Sequence, residues 1–304
     1  MSSGNLDFEL FRDFLEKTSG IQLGSNKQYL VSSRLNRLME QRGIKSLTDL
    51  VQRIQAQPRG GLREEVVDAM TTNETLWFRD GYPFEVLKSR VLPELLKASP
   101  TLRPRIWSAA CSSGQEPYSL SMTIDEFERA NPGMLRMGSQ IVATELSGAM
   151  LAACRAGVYD GLAMARGLSP ERRERYFDQV APGQWSIKPA VRNRVELRAL
   201  NLLDSYASLG KFDIVFCRNV LIYFSADIKR DILTRIHATL KPGGYLFLGA
   251  SEALNGLSDL YQMVGESASY TDERWGWYSL HGADVRRTRS GAYLLILPDT
   301  EPLA

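Results

Sequence analysis

From Arg105 onward, short apolar runs alternate with amphipathic stretches, and this alternation limits the possible folds more than any other feature. Strand-like runs fall at residues 106–110, 140–144, 195–200, 212–217 and 245–248. Helical patterns separate most of them, at 118–129, 149–156 and 228–240. Such alternation predicts an α/β fold with a mostly parallel, doubly wound sheet. The first unit, Arg105-Ile-Trp-Ser-Ala-Ala-Cys-Ser-Ser-Gly-Gln-Glu-Pro-Tyr-Ser119, reads as strand, tight turn, helix. Pro117 suits the first turn of a helix, where its missing N–H costs nothing. In an open α/β sheet a ligand sits just beyond the carboxyl end of such a strand.

The turn has one glycine, Gly114, and lacks both G-x-G-x-x-G and G-x-x-x-x-G-K-[ST]. Glu116 places a carboxylate at the mouth. A carboxylate suits ribose hydroxyls or a cation and repels a pyrophosphate. The stretch therefore reads as a nucleoside pocket, with an ordinary strand-to-helix turn as the plain alternative. Glu145 ends the second strand, 29 residues after Glu116. Nucleotide-binding sheets place a ribose ligand there, although an acid favoured by a helix dipole also fits. Asn201 ends the third strand and can read an adenine edge. The fourth strand runs into Arg218, Asn219 and Tyr223 at the same rim. An arginine beside a tyrosine hydroxyl suits a carboxylate better than a neutral base. A structural ion pair beside a core tyrosine is the alternative.

Residues 6–76 read as helices. The first carries Leu6, Leu10, Phe11 and Phe14 near one face. The second, over 29–42, carries Val31, Leu35, Leu38 and Met39, with Arg34 and Arg37 opposite. Ser46 can cap a third over 47–54, and a fourth starts at Leu62. Between Gly24 and Arg63 eight basic residues face two acidic ones, an excess of six in a 304-residue chain whose net charge is only +2. This reads as a docking face for an acidic partner, nucleic acid and an acidic protein surface being equally allowed, rather than a merely solvated surface. A helix is expected over 84–97 and a small insertion over 157–194, where 184–187 and 191–197 can pair as a hairpin. Lys241-Pro-Gly-Gly244 reads as a helix-to-strand turn, 275–280 as an edge strand, and 283–304 as a tail that is either disordered or a peripheral strand.

The three cysteines, Cys111, Cys154 and Cys217, are odd in number and widely spaced, which argues for reduced thiols. Two histidines and no C-x-x-C make a metal site unexpected. No leader or membrane-length apolar run is evident, so a cytoplasmic location is expected.

Thr72-Asn-Glu-Thr75 with Phe78-Arg-Asp80, Cys111-Ser-Ser-Gly-Gln-Glu-Pro-Tyr118, Asn201-Leu202 and Cys217-Arg-Asn-Val-Leu-Ile-Tyr-Phe224 occur in that order. In these motifs the chain resembles the chemotaxis receptor methyltransferases, the CheR family, over about residues 6–280. The resemblance implies a Rossmann-like methyltransferase sheet with an N-terminal all-helical domain and a small inserted β-subdomain. Expected boundaries are 1–76 for the helical domain, 77–282 for the methyltransferase domain and 283–304 for the tail. It implies S-adenosyl-L-methionine as methyl donor, with S-adenosyl-L-homocysteine as product, and receptor glutamates as acceptors. Carried over by position, the cofactor ligands fall on Asn73, Thr75, Arg79, Glu116, Glu145, Asn201, Leu202, Arg218 and Asn219. The catalytic pair falls on Arg79 and Tyr223. Glu145 departs from the aspartate usual in the family. The insertion is short, as in members that need no receptor pentapeptide. Partners implied are the cytoplasmic helices of chemoreceptors, docked by the basic N-terminal domain through Arg34 and Arg37. Neither nucleic acid nor membrane insertion is expected, and a monomer is.

Two rivals remain at this level. A nucleic-acid methyltransferase is opposed by Asn219-Val-Leu-Ile where an amino-methylating enzyme carries D/N-P-P-Y, and by the lack of a Pro-Cys pair. A non-catalytic cofactor-binding scaffold is opposed by retention of Arg79 and Tyr223.

Overall fold

The chain begins with four helices, α1 (Ser3–Ser19), α2 (Gln28–Gln41), α3 (Leu47–Ala56) and α4 (Leu62–Met70). The computed structural model describes residues 3–58, 61–252, 261–263 and 293–296. The apolar stripes of the four helices close on one core around Phe11, Leu15, Leu35, Leu50 and Val66. Ser46 caps α3 as its position predicts, accepting from the Asp49 N–H at 3.1 Å. α1 turns only part of the expected face inward: Phe11 is buried and Phe14 packs against the core. Leu6 and Leu10 are exposed, while Phe8, Phe11 and Leu15 are buried. Burying the Phe8 ring beside Phe11 removes more apolar surface from water than burying a leucine.

The helix expected over 84–97 is broken in the middle. α5 (Tyr82–Val86) passes through one π turn, Leu87–Val91, into α6 (Leu92–Ala98). Pro93 has no N–H, and in a regular helix its ring strikes the carbonyl four residues back. The wider turn removes that clash, and the Leu92 N–H reaches five residues back to the Leu87 carbonyl.

The α/β part follows with β1 (Arg105–Ala109), α7 (Gln115–Ala130), β2 (Gln140–Glu145) and α8 (Gly148–Ala156). An insertion then holds β3 (Val158–Asp160), α9 (Gly161–Met164), α10 (Pro170–Tyr176), β4 (Phe177–Ala181), β5 (Gln184–Ile187) and α11 (Pro189–Arg192). The sheet resumes with β6 (Val195–Ala199), β7 (Phe212–Cys217), α12 (Ala226–Thr239), β8 (Leu240–Leu248), β9 (Gln262–Met263) and β10 (Tyr293–Ile296). Strand order is β6-β2-β1-β7-β8-β10-β9. The first five are parallel and β10 runs antiparallel to β8. This is a Rossmann-like sheet whose order reverses between β1 and β7, the position at which such sheets bind ligands. Strand residues alternate between two cores. Ile106 joins the α7 side, whereas Trp107 packs with Phe212 and α12 residues Ile232 and Ile236 on the other.

The insertion differs from its expected pairing. β5 pairs with β4 across Pro182-Gly183 and with β3 on its other edge, in a separate antiparallel sheet. Residues 195–197 instead join the main sheet beside β2. Their parallel partner Ile141–Thr144 offers a buried ladder that a peripheral hairpin does not. Trp77 ties the small sheet to the interdomain linker, packing edge-on against Tyr159 and Phe177. Lys241-Pro-Gly-Gly244 also departs from a simple turn, since it lies within β8 beside a register shift opposite Phe212 and Ile214. The edge strand expected over 275–280 lies outside the described residues, as does most of the tail apart from β10.

Asp213 closes this end of the sheet. Its buried carboxylate accepts from the Arg105 N–H (2.8 Å) and from Lys241 Nζ (2.9 and 3.0 Å), joining β1, β7 and β8. Asp213→Ala orphans a backbone N–H and a partly exposed lysine. It is expected to cost about 2–3 kcal/mol in denaturant unfolding, whereas a loss below about 0.5 kcal/mol contradicts that role.

Candidate functional site

The reversal point opens into a pocket of about 990 Å³, counted out to open solvent. Four stretches wall it: residues 70–76 of the linker, 110–112 after β1, 200–202 after β6 and 218–220 after β7. Ser19 and Ile21, at the end of α1, close it from the helical domain. All ten residues expected at the site line it: Asn73, Thr75, Arg79, Glu116, Glu145, Asn201, Leu202, Arg218, Asn219 and Tyr223.

The backbone around the pocket is held in costly conformations. Among the described residues, positive φ occurs at five non-glycine positions: Phe78, Asp80, Ala110, Ser112 and Asn219. All five belong to the loops that surround this one pocket. Such conformations cost about 1–3 kcal/mol each and persist only where the surroundings hold them. Gly114 completes the β1–α7 turn with φ 99°. A Cβ there would lie 2.5 Å from Cys154 Sγ and 2.9 Å from the Tyr118 ring. The lone glycine therefore serves close packing of the turn.

A buried cation organises the charges. The Arg218 side chain is 1% exposed and pairs with Glu116 (3.1 Å) and Asp80 (2.6 Å). Its Nη2 also donates to the Arg79 carbonyl at 2.8 Å. Glu116 accepts a second bond from Ser108 Oγ at 2.7 Å. Glu145 lies across the pocket and accepts from the backbone N–H groups of Ser112, Leu146 and Ser147 at 2.8–2.9 Å. Its carboxylate therefore shapes the turn after β1 as well as facing the cavity.

Two expected residues have structural duties that sequence reading did not foresee. The Asn201 amide donates to the Thr18 carbonyl (2.7 Å) and accepts from the Leu203 N–H (3.0 Å), so it ties the helical domain to the sheet. Arg34 donates to the carbonyls of Met70 and Thr71 and to Thr72 Oγ1, anchoring the linker rather than facing solvent. Asp80, Ser108, Ser112 and the roof residues Ser19 and Ile21 were missed. Only Asp80 had a local signal, its place directly after Arg79.

These residues suit S-adenosylmethionine, which carries a ribose diol, an ammonium and a carboxylate but no phosphate. Carboxylates Glu116 and Glu145 stand beside apolar Ile21, Leu202, Val220 and Phe224. Arg218 Nε is buried and has no partner among the described residues. Also among them, no group of His, Cys, Asp or Glu is placed to hold a metal, and no helix is long and apolar enough to cross a membrane.

Comparison with known proteins agrees with this geometry. The family model for the CheR methyltransferase SAM-binding domain matches residues 73–270, and that for the CheR all-alpha domain matches residues 6–71. The chain belongs to the CheR methyltransferase family. It is 79% identical over 264 residues to chemotaxis protein methyltransferase 1 of Pseudomonas aeruginosa, covering 87% of this chain and 96% of that one. It is 76% identical over 264 residues to chemotaxis protein methyltransferase Cher2 of Pseudomonas putida, with the same coverage. It is 53% identical over 259 residues to the chemotaxis protein methyltransferase of Vibrio parahaemolyticus, covering 85% of this chain and 93% of that one. It is an S-adenosylmethionine-dependent methyltransferase of chemotaxis.

Burial raises the pKa of Glu145 against three opposing backbone hydrogen bonds, and that of Glu116 against Arg218 and Ser108. Both values lie above that of an unfolded-chain glutamate, about 4.3. The stability contributed by the neutral forms is complete below that value and is lost as pH rises through the raised folded values. Glu116→Gln, which does not titrate, should therefore lose less stability than the unsubstituted protein as pH rises above about 4.3. Equal losses in denaturant unfolding count against a raised Glu116.

Proposed function

We propose that this protein transfers the methyl group of S-adenosylmethionine to glutamate side chains on the cytoplasmic helices of chemoreceptors, forming methyl esters. The pocket's two arginines carry this reading. Arg218 is neutralised by Glu116 and Asp80. Arg79 is part-exposed at the rim, and its hydrogen bond among the described residues goes to a neutral carbonyl, that of Glu74 at 3.2 Å. It is thus the cation left to receive an incoming carboxylate. The receptor name and the ester product rest on the family resemblance; the geometry supports an acidic acceptor.

The chemistry asks little of the protein. A glutamate carboxylate is already ionised at neutral pH and needs no general base. S-adenosylmethionine supplies an electrophilic methyl on a sulfonium. Arg79 aligns the acceptor carboxylate, and the Tyr223 hydroxyl donates to the same group. The pairing at a part-exposed arginine holds the nucleophile without quenching it. The pocket walls supply orientation, the largest effect available to such a reaction. Glu145 and Glu116 hold the cofactor's hydroxyl and amino groups, with Asn73, Thr75, Asn201, Leu202 and Asn219 completing the wall.

Docking falls to the basic helical domain, acting in the cytoplasm as a monomer without a receptor pentapeptide. Several of its cations are already engaged, Arg42 with Glu65 and Arg53 with Asp49, and Arg34 with the linker. Arg37 is exposed on α2 and is the better handle on the partner.

Labelled S-adenosylmethionine incubated with receptor fragments should leave base-labile label on the receptor and none on RNA; label on RNA alone overturns the reading. Arg79→Ala should lower transfer at least about 100-fold, and near-normal turnover removes Arg79 from its role. Arg37→Glu should weaken receptor methylation most at low salt, and unchanged rates at every ionic strength exclude docking through α2.

A further inference from the structure

One carboxylate beside the pocket has no part in the account above. Glu252, just beyond β8, is 4% exposed and has no cationic partner among the described residues. Its Oε1 accepts from the backbone N–H groups of Val220 (2.8 Å) and Leu221 (2.7 Å). Its Oε2 accepts from those of Asn219 (2.8 Å) and Gly249 (2.6 Å). Four amides thus converge on one side chain. Three come from consecutive residues of the loop that carries Arg218, Asn219 and Tyr223 to the pocket.

That loop has reason to need a fastener. Asn219 holds φ at 59°, a conformation that relaxes unless its surroundings fix it. Hydrogen bonds to an ionised acceptor are about twice as strong as neutral ones. Gly249 closes the same joint from the other side. A Cβ there would lie 2.7 Å from Glu252 Oε2 and 2.8 Å from both Asn219 N and Nδ2. The joint has no room for even a methyl group.

We propose that Glu252 is a positioning residue for cofactor binding, acting through the loop from Arg218 to Tyr223, and that Gly249 keeps the joint closed. The inference rests on this loop walling the cofactor pocket and is independent of which acceptor is methylated. Glu252→Gln keeps the shape, but its amide turns N–H groups toward two backbone donors. Gly249→Ala keeps the carboxylate and wedges the joint.

The test is calorimetric binding of S-adenosylhomocysteine, measured well below each variant's melting temperature. Each variant should bind at least about tenfold more weakly than the unsubstituted protein, and KM for S-adenosylmethionine should rise in step. A merely structural role lowers the melting temperature and leaves affinity within about twofold, and that result overturns the proposal. If Glu252→Gln does not fold, Gly249→Ala decides by the same limits. Because the readout is cofactor binding, its failure leaves the glutamate-acceptor reading standing, and loss of that reading leaves this one testable.

Discussion

The site depends on one buried guanidinium. Arg218 comes from the end of β7, Glu116 from the first turn of α7, and Asp80 from the linker that leaves the helical domain. A side chain 1% exposed is stable only with its charge matched and its hydrogen bonds made. Satisfying Arg218 therefore brings three segments, distant in sequence, to fixed places. Its bond to the Arg79 carbonyl extends that order to the second arginine of the pocket. The ion pairs here set geometry, since burying charge adds little net stability.

The helical domain is part of the same construction. Its α1 ends at the pocket roof, with the Gln22 N–H bonded to the Tyr223 carbonyl at 2.9 Å. Thr18 accepts from Asn201, and Arg34 holds the start of the linker. Asp68 reaches the N-terminus of α8 through the Ala149 N–H at 3.3 Å. A domain that presents basic residues outward thus also completes the cavity inward.

Much of this was legible in the sequence because the signals were local. Strand runs, the Ser46 cap and the turn at Gly114 each follow from a few adjacent residues. Six pocket residues, Glu116, Glu145, Asn201, Arg218, Asn219 and Tyr223, were legible for another reason: each follows a parallel strand, and a doubly wound sheet gathers such positions at one rim; Asn73, Thr75, Arg79 and Leu202 came only from the family resemblance. The misreadings share a cause as well. Leu6 against Phe8, and 191–197 paired with 184–187 against β6 in the main sheet, are contests between similar local patterns. Packing partners elsewhere in the chain settled them.

By itself the sequence determined the alternation of strand and helix, the helical start, the place of the insertion and the set of polar residues at the strand ends. These rest on periodicity and turn chemistry, which act within a few residues. Only the tertiary structure decided the duty of each polar group. Arg34 binds carbonyls, Asn201 joins two domains, Arg218 is already neutralised, and Glu252 gathers four amides. A hydrogen bond or ion pair belongs to whichever group folding brings within about 3 Å, and residue type alone does not name that partner.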